Sequence, residues 1–388
     1  MTGPGRKRIA VIGATGSVGS SVLDVCRAHP DALEVRALAA RSPSEKLTAL
    51  AAEFGVTMLC VHDAPPGFGA EEPGSKKLRG PGGLIALAED PSVDHVVFAS
   101  SGTAAIPALQ AALCAGKEVS LANKESIVVA GPWVMPLVRA RDQLRPLDSE
   151  HNAVWQCLHG ESAPVRRVRL TASGGPFRTW TASELELETV TPDMALRHPV
   201  WSMGAKITVD SATLMNKGIE LIEAMMLFGL EPHQVDAVVS PGSFVHALAE
   251  FEDGSVKMLA GAPDMRLPAS SCLFWPERRF PCGGLEWPVV APRTIAFEEP
   301  DPERFPALRL AREAMERRGP FPAVLVGADE VAVERFLSGR LGLPAIAQAV
   351  EETMEACSLL DPENLEDALA AMEWAGRHCA AVCGAWEG

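Results

Sequence analysis

The chain has 388 residues, 47% of them hydrophobic, and a formal net charge of −15 at pH 7. This length predicts two or three domains with apolar cores, and the acidic charge argues against nucleic acid as a partner. The sequence has no run of about 18 apolar residues, so we expect no membrane span, and the N-terminus lacks a signal-peptide pattern. The nine scattered cysteines are typical of reduced thiols, so we expect a cytoplasmic protein that does not bind membranes.

Strands and helices alternate through the first part of the chain. The apolar stretch 8–13 predicts the first strand, and residues 17–28 predict the first helix. The other elements predicted here are strands at 35–40, 56–61, 94–100 and 118–122, helices at 44–54, 83–89 and 103–115, and a loop rich in proline and glycine at 64–83. This alternation indicates an α/β fold with a Rossmann-like, doubly wound parallel sheet.

The pattern changes after about residue 150, where motifs rich in glycine, serine and proline lie between helices and short strands. They predict a second domain of α+β type. Helical periodicity from about residue 308 predicts a small C-terminal helical domain. The predicted division is 1–147, 148–285, a linker at 286–307, and 308–388.

A glycine-rich turn, V-I-G-A-T-G-S-V-G, joins the first strand to the first helix. Glycines allow a tight turn, and the free N–H groups of a helix N-terminus suit a pyrophosphate. The alternative is a strand–helix turn that merely contains glycines. The second strand runs into Arg41 and Ser42 with no carboxylate, which favours NADP over NAD unless Arg41 is only a solvated surface residue.

The same glycine spacing occurs in the short-chain dehydrogenases. Those enzymes use a catalytic tyrosine with a lysine four residues further on. This chain contains no tyrosine, so the sequence excludes an active enzyme of that kind.

The stretch L-D-S-E-H-N-A places Asp148 and Glu150 two residues apart, at what is predicted to be the end of a strand. On a strand both would face the same way, and at about 5 Å with an effective dielectric near 20 they would repel by roughly 3 kcal/mol. Bulk water, a nearby arginine or a divalent cation could offset this repulsion. With Glu220 the two carboxylates form an all-oxygen set that suits Mg²⁺ or Mn²⁺ rather than zinc.

The stretch L-A-N-K-E-S follows the last predicted strand of the first domain, where ligands bind in such folds. Asn123 could meet the nicotinamide end of a cofactor and Lys124 could contact the substrate. Alternatively, the stretch is only a loop that starts a helix.

A second group of polar residues suits a phosphate monoester, because it combines neutral donors with a cation. Its members are Ser173, His198, Ser211, Asn216 and Lys217. The stretch around Trp201 could be a mobile flap or a packed loop. Lys217 and Glu220 share one helix face, which by itself is typical of a surface ion pair.

Seven motifs occur in order between roughly residues 13 and 280, and together they resemble the 1-deoxy-D-xylulose 5-phosphate reductoisomerases. The motifs are G-A-T-G-S-V-G, L-A-N-K-E-S, D-S-E-H-N-A, S-G-G-P-F, H-P-V-W-S-M-G-A-K, V-D-S-A-T-L-M-N-K-G-I-E and D-G-S-V-K-M-L-A-G-A-P-D-M-R. The resemblance implies a metal-dependent rearrangement of a phosphorylated small-molecule substrate, followed by reduction with NADPH to 2-C-methyl-D-erythritol 4-phosphate, in the non-mevalonate route to isoprenoids. It also implies Mn²⁺ or Mg²⁺ as cofactor, a homodimer, and an α+β catalytic domain after the NADPH-binding domain.

The resemblance also assigns roles to residues. It assigns the metal to Asp148, Glu150 and Glu220, and these carboxylates with Lys124 form the catalytic set. Substrate contacts fall on Lys124, Ser149, Glu150, Ser173, His198, Trp201, Ser211, Asn216, Lys217, Glu220 and Met265. NADPH contacts fall on Thr15, Gly16, Ser17, Val18, Asn123, Glu125 and Gly204, and the end of the second strand adds Arg41 and Ser42.

Two stretches depart from the family pattern. Arg41-Ser42-Pro43 replaces a turn of the Gly-Lys/Arg-Asn type, and V-G-A-D-E at 326–330 replaces N-A-A-N-E. Two other classes stay open on the residues alone. Another NADP oxidoreductase, such as a semialdehyde or homoserine dehydrogenase, would not need the three carboxylates, and a non-catalytic NADP sensor would have a damaged site.

Overall fold

The computed structural model describes residues 5–66, 68, 76–181, 190–201, 203–284 and 294–386. The contacts group the chain into two units. The first contains Met1–Ser126, Val134–Asn152 and Asp264–Trp287, and the second contains Ile127–Trp133, Ala153–Pro263 and Pro288–Gly388. The domain boundaries predicted after residues 147, 285 and 307 stay a prediction.

The first unit contains a seven-stranded sheet in which all paired strands are parallel, in the order β4-β3-β2-β1-β5-β6-β7. The strands are β1 Lys7–Ile12, β2 Leu33–Ala40, β3 Met58–Val61, β4 Lys76–Arg79, β5 His95–Phe98, β6 Glu118–Leu121 and β7 Leu144–Pro146. The strand order reverses at β1, which has β2 on one side and β5 on the other. This confirms the predicted doubly wound, Rossmann-like sheet and identifies its topological switch point.

The helices of the first unit are Ser17–Ala28, Glu45–Phe54, Gly80–Glu89, Ile106–Cys114 and Arg266–Phe274, with a 3₁₀ turn at Met135–Leu137. The chain changes units within the helices Glu125–Val128, Gly131–Val134 and Ser149–Leu158. The apolar residues of β1 are fully buried together with Val22 and Leu23 of the first helix. Strands covered on both faces carry continuous apolar runs, which is why β1, β2 and β5 were predictable.

One strand contradicts the prediction. Strand β4 lies inside the segment 64–83 that was predicted to be a loop, of which 67 and 69–75 lie outside the described residues. Its sequence, K-K-L-R, has no apolar run because the strand is at the sheet edge and is mostly exposed or half-buried. Backbone pairing with β3, which does not depend on side-chain pattern, forms this strand.

The second unit contains a mixed four-stranded sheet in the order β11-β10-β8-β9. The strands are β8 Val165–Ala172, β9 Val235–Val239, β10 Val245–Phe251 and β11 Val256–Ala260. Strand β8 is parallel to β9, whereas β10 is antiparallel to both β8 and β11. The α+β prediction for this part of the chain is therefore confirmed.

The helices of the second unit are Pro192–Ala195, Ala205–Thr213, Met215–Phe228, Pro306–Arg317, Phe321–Leu337, Leu343–Glu355 and Leu365–Trp386, with a 3₁₀ turn at Pro232–Gln234. The last four confirm the predicted C-terminal helical region. Their buried side chains belong to the same apolar core as those of β8 and of helix Met215–Phe228. Among the described residues, no helix combines the length and apolar character needed to span a membrane.

The glycine turn after β1 depends on close backbone packing. Gly13 has a φ of +88°, and a Cβ there would lie 2.5 Å from the carbonyl carbon of Ala99. A Cβ at Gly19 would overlap the carbonyl oxygen of Gly13. The first turn of helix Ser17–Ala28 can approach the residues after β1 this closely because Gly19 lacks a side chain, and Gly13 can pack against Ala99 for the same reason.

We predict that Gly19→Ala lowers the free energy of unfolding by about 2–3 kcal/mol, because the new methyl group meets backbone that cannot move aside. Gly16→Ala is the matched control, since a Cβ there would lie 3.4 Å from the nearest heavy atom. It should cost less than about 1 kcal/mol. Urea denaturation followed by circular dichroism measures both, and equal losses would contradict the packing argument.

Candidate active site

The glycine turn leaves the N-terminus of helix Ser17–Ala28 open to a ligand. Gly16 and Ser17 are exposed, whereas Thr15 and Val18 are half-buried. Gly16 precedes the helix in an extended conformation and supplies no side-chain cap. The first N–H groups of the helix therefore lack helical carbonyl acceptors. The turn lies at the switch point of the sheet, where this arrangement suits a pyrophosphate.

Two cations lie in the segment that follows β2. Lys46 Nζ donates to the carbonyl oxygen of Thr15 at 2.9 Å and to Ser20 Oγ at 3.0 Å. Arg41 Nε donates to Asp63 Oδ2 at 2.9 Å, while its side chain stays 88% exposed. Lys46 was not selected from the sequence, although its place in the first turn of the helix after β2 was an available signal.

Asn123, which follows β6, connects two loops of the first unit. Its side-chain amide donates to the carbonyl oxygens of Ser100 and Gly102, both at 2.8 Å, and its Oδ1 accepts from the N–H of Ser126 at 2.8 Å. The stretch L-A-N-K-E-S thus begins the helix Glu125–Val128 and also holds the loop after β5. The helix start that was the alternative interpretation is therefore observed, and the cofactor and substrate contacts expected of Asn123 and Lys124 stay predictions.

The geometry predicted for Asp148 and Glu150 is wrong. Strand β7 ends at Pro146, and the helix Ser149–Leu158 begins directly after Asp148. The carbonyl oxygen of Asp148 accepts from the N–H of Asn152 at 2.8 Å, and its Oδ1 accepts from the N–H of Glu150 at 3.3 Å. Asp148 therefore caps a helix, as aspartate commonly does, and Glu150 lies in the first turn.

The charge of Asp148 is balanced within the first unit. The ammonium group of Lys124 forms an ion pair with Asp148 Oδ2, and His151 Nδ1 lies 3.1 Å from Asp148 Oδ1. Burial raises the pKa of Asp148, but Lys124 and His151 outweigh it and hold this pKa well below its usual range. Asp148 is thus ionised at neutral pH, and the cation expected near it is a lysine rather than an arginine.

Asn152 anchors the loop that carries Asp148. The Asn152 side-chain amide donates to the carbonyl oxygen of Pro146 at 2.9 Å and to Cys272 Sγ at 3.4 Å. Both His151 and Asn152 are buried. Neither was selected from the sequence, although their helical spacing from Asp148 was a usable signal once a helix was assumed.

In the second unit, His198 brings Ser173 and Ser211 together. His198 Nε2 lies 3.1 Å from each of the two hydroxyl oxygens. His198 Nδ1 accepts the backbone N–H groups of Val200 and Trp201, at 3.1 and 2.8 Å. Because Nδ1 is an acceptor, the proton of the neutral ring is on Nε2.

This protonation leaves His198 as a neutral donor. Burial lowers the pKa of His198, so the ring is uncharged near neutral pH. The three side chains can therefore offer O–H and N–H groups to an anion without a charge of their own. The half-buried Trp201 is attached to the same imidazole through its backbone N–H.

Gly175 supports this group from the S-G-G-P stretch. It has a φ of +66°, and a Cβ there would lie 2.7 Å from the carbonyl oxygen of Ser211. Its N–H donates to Ser173 Oγ at 3.2 Å. A cavity of about 590 Å³ opens beside these residues, and its lining also includes Arg178 and Arg197.

Glu220 is held on helix Met215–Phe228 by two neighbours of the same helix. Asn216 Nδ2 donates to Glu220 Oε1 at 2.5 Å, and the ammonium group of Lys217 forms an ion pair with Oε2. The side chains of Lys217 and Glu220 are only 4% and 2% exposed. The surface ion pair expected from their spacing is therefore wrong, because this face of the helix is packed inside the unit.

The remaining predicted residues are distributed over both units. Ser149 Oγ donates to the carboxylate of its neighbour Glu150. Met265 precedes helix Arg266–Phe274 in the first unit, and Gly204 precedes helix Ala205–Thr213 in the second. Ser42 is exposed and Glu125 is half-buried. The metal, substrate and cofactor roles assigned to all these residues stay predictions.

A parallel doubly wound sheet with a glycine turn at its switch point defines a class, the α/β dinucleotide-binding enzymes. Within that class, comparison with known proteins identifies the family. A family model of 1-deoxy-D-xylulose 5-phosphate reductoisomerase matches residues 9–131, and two models of the C-terminal domain of the same enzyme match residues 144–228 and 260–378.

Full-length relatives carry the same name. The 1-deoxy-D-xylulose 5-phosphate reductoisomerase of Prosthecochloris aestuarii is 43% identical over 382 residues, which covers 97% of this chain and 99% of the relative. That of Pseudomonas syringae pv. syringae is 44% identical over 384 residues, which covers 96% of each chain. The chain belongs to the 1-deoxy-D-xylulose 5-phosphate reductoisomerase family, as its motifs predicted.

Solved structures of the family have the same fold. The enzyme from Zymomonas mobilis in complex with NADPH has a TM-score of 0.86 at 38% identity, and covers 98% of this chain and 99% of its own. A reductoisomerase in complex with NADPH, fosmidomycin and magnesium has a TM-score of 0.87 at 35% identity, with the same coverage.

We predict that Lys124→Met, assayed with EDTA, lowers the free energy of unfolding at pH 7 by about 3 kcal/mol, because it removes the main cation from a buried carboxylate. Because the pKa of Asp148 is lowered in the folded chain, its ion pair stabilises the fold fully above about pH 4, and this stabilisation is lost as the pH falls toward the lowered pKa. The difference from the wild type should therefore shrink at pH 3.

Lys76→Met provides the control for this measurement. Lys76 pairs with Asp90 in the same unit, but its side chain is 52% exposed. Its loss should cost less than about 1 kcal/mol at pH 7. Urea denaturation at pH 7 and pH 3 measures the free energy of unfolding of both variants. If Lys124→Met loses no more stability than Lys76→Met, the Lys124–Asp148 pair does not stabilise the fold.

Proposed function

We propose that this chain converts 1-deoxy-D-xylulose 5-phosphate to 2-C-methyl-D-erythritol 4-phosphate, first rearranging the carbon skeleton and then reducing the product with NADPH. The observation that carries the proposal is a pair of donor sets in a chain that belongs to this family. One set is the ionised Asp148 with Lys124, and the other is the group of neutral donors around His198. Neither rival class needs both sets.

Most of the proposed NADPH contacts lie in the first unit. The proposed contacts are Thr15, Gly16, Ser17, Val18, Asn123, Glu125 and Gly204. Gly16 and Ser17 are exposed at the N-terminus of helix Ser17–Ala28, which suits a pyrophosphate. Arg41 adds positive charge at the end of β2 and Lys46 adds it beside Thr15, which suits the 2′-phosphate of NADPH and offsets the departure from the family's turn.

The residues also fit a divalent cation. The proposed ligands, Asp148, Glu150 and Glu220, offer only carboxylate oxygens, the donors that Mg²⁺ and Mn²⁺ prefer. When bound, such an ion would act as a Lewis acid toward neighbouring carbonyl and hydroxyl oxygens of the substrate. Lys124 pairs with Asp148 and Lys217 pairs with Glu220, so positive charge already lies beside two of these carboxylates.

The chain's own residues bind and orient the substrate. Ser173, His198, Ser211, Asn216 and Lys217 form the proposed phosphate site, and their binding energy would position the carbons that react at a distance from the phosphate. Trp201 is the proposed flap residue. Its N–H bonds to the same imidazole that faces Ser173 and Ser211, so phosphate binding and flap position share one side chain. Ser149 and Met265 complete the proposed substrate contacts.

Lys124 has a proposed role in proton transfer. Its ammonium group is buried against Asp148, where it can donate a proton to a substrate oxygen and recover it from the same oxygen. The homodimer and the cytoplasmic location expected from the sequence stay predictions. Light scattering coupled to size exclusion measures the first.

We predict that the purified protein oxidises NADPH only when 1-deoxy-D-xylulose 5-phosphate and Mg²⁺ or Mn²⁺ are both present. Absorbance at about 340 nm follows the cofactor, and mass spectrometry identifies the product. A folded protein that consumes no NADPH under these conditions would overturn the proposal. NADPH consumption with a semialdehyde instead would favour the other oxidoreductase class.

We predict that Glu220→Gln lowers kcat by roughly 100-fold and raises the metal concentration needed for half-maximal activity, because one charged ligand becomes a neutral one. The matched control is Glu231→Gln, which removes a carboxylate whose side chain is 59% exposed in a pair with Arg318. It should leave activity within about twofold. Full activity of Glu220→Gln in EDTA would contradict the metal assignment.

A further inference from the structure

A second charged cluster lies inside the second unit, apart from the residues assigned above. Lys206 Nζ lies 2.6 Å from Asp210 Oδ2 and 2.6 Å from Asp329 Oδ2. Lys206 and Asp210 are four residues apart on helix Ala205–Thr213, whereas Asp329 is on helix Phe321–Leu337. The side chains of Asp210 and Asp329 are 3% and 0% exposed. One ammonium group therefore joins two helices through two buried carboxylates.

The cluster holds more carboxylates than cations. Asp210 Oδ1 and Asp329 Oδ1 are buried, and neither accepts a hydrogen bond from the residues that the structure describes. Burial raises the pKa of Asp210 well above its usual range, and the charge of Asp329 adds to this effect. A proton on Asp210 leaves Lys206 and Asp329 as a neutral pair, so the cluster carries no net buried charge.

Helix Phe321–Leu337 is a fixed partner for this cluster. A Cβ at Gly327 would overlap the carbonyl oxygen of Met372, so the helix approaches helix Leu365–Trp386 backbone to backbone. Cys379 Sγ donates to the carbonyl oxygen of Ala328 at 3.3 Å. Asp329 follows immediately and is therefore held in place. These positions belong to the stretch V-G-A-D-E that departs from the family pattern.

Helix Ala205–Thr213 carries a residue of the proposed phosphate site. Ser211 directly follows Asp210, and its hydroxyl lies 3.1 Å from His198 Nε2. The carbonyl oxygen of Ser211 faces Gly175 closely enough to leave no room for a side chain there. A small shift of this helix would separate Ser211 from Ser173 and His198.

We propose that Lys206 and Asp329 are positioning residues for phosphate binding: they hold helix Ala205–Thr213 against helix Phe321–Leu337 so that Ser211 stays within reach of the phosphate. The inference rests on the proposed function for the identity of that site. It goes further by assigning a role to Lys206 and Asp329, which have none in the proposed metal, substrate and cofactor sets.

The test compares phosphate affinity in variants of the cluster, using the full chain with NADPH and Mg²⁺. Inorganic phosphate binding by calorimetry and steady-state KM and kcat are the readouts. Lys206→Met should weaken phosphate binding and raise KM about tenfold, with kcat changed less than threefold, because the phosphate is remote from the reacting carbons. Asp329→Leu should act in the same direction.

Asp329→Asn is the conservative variant. Asn keeps an oxygen that can accept from Lys206, so phosphate affinity should stay within about twofold of the wild type. In the double variant Lys206→Met, Asp329→Asn, the loss should be smaller than in Lys206→Met alone, because one buried carboxylate is gone. Lys257→Met, which removes a half-exposed cation paired with Glu161, controls for general loss of positive charge and should change nothing.

The outcomes separate the inference from the proposed function. Phosphate affinity that is unchanged in both Lys206→Met and Asp329→Leu overturns the inference, even if the wild type turns over substrate. So does an equal loss in Asp329→Leu and Asp329→Asn. If the wild type binds phosphate but does not consume NADPH, the proposed function fails while the binding series still decides the inference. Should Lys206→Met not fold, the two Asp329 variants decide it.

Discussion

The ion pair between Lys124 and Asp148 depends on one property of a parallel sheet: neighbouring strands end at the same edge. Lys124 follows β6 and Asp148 follows β7, so residues distant in sequence meet where the two strands finish. A carboxylate buried there is stable only with a cation beside it, and Lys124 and His151 supply the compensation. The glycine turn after β1 opens at the same edge, which is why the sheet brings the proposed cofactor turn and the buried Asp148 into one region of the first unit.

The same constraint organises the second unit. Glu220 is buried with Lys217 and Asn216, and Asp210 and Asp329 are buried with Lys206. A chain with a net charge of −15 can keep most of its acids in water, so those that it buries are placed against specific partners. Lys217 and Asn216 orient the Glu220 side chain on its own helix, whereas Lys206 joins helix Ala205–Thr213, which carries Ser211, to helix Phe321–Leu337.

The elements that sequence reasoning predicted well are those whose pattern reflects burial. Strands β1, β2 and β5 were predictable because both faces are covered, and the C-terminal helices because one face is apolar. Strand β4 was missed because an edge strand needs only backbone pairing. The strand geometry assumed for Asp148 and Glu150 failed because a period of two holds only within a strand, and Asp148 ends the loop and caps a helix.

The sequence by itself determined the fold class, the family, and the residue types of both donor sets, because motifs of consecutive residues carry that information locally. Only the tertiary structure decided which groups face one another. Packing determines three features of the site region. It buries Lys217 and Glu220, it leaves His198 to donate from Nε2, and it brings Asp329 to Lys206, more than a hundred residues away in sequence. Burial and partner identity depend on contacts between distant segments, and these set the charge, the tautomer and the position of every side chain in the site.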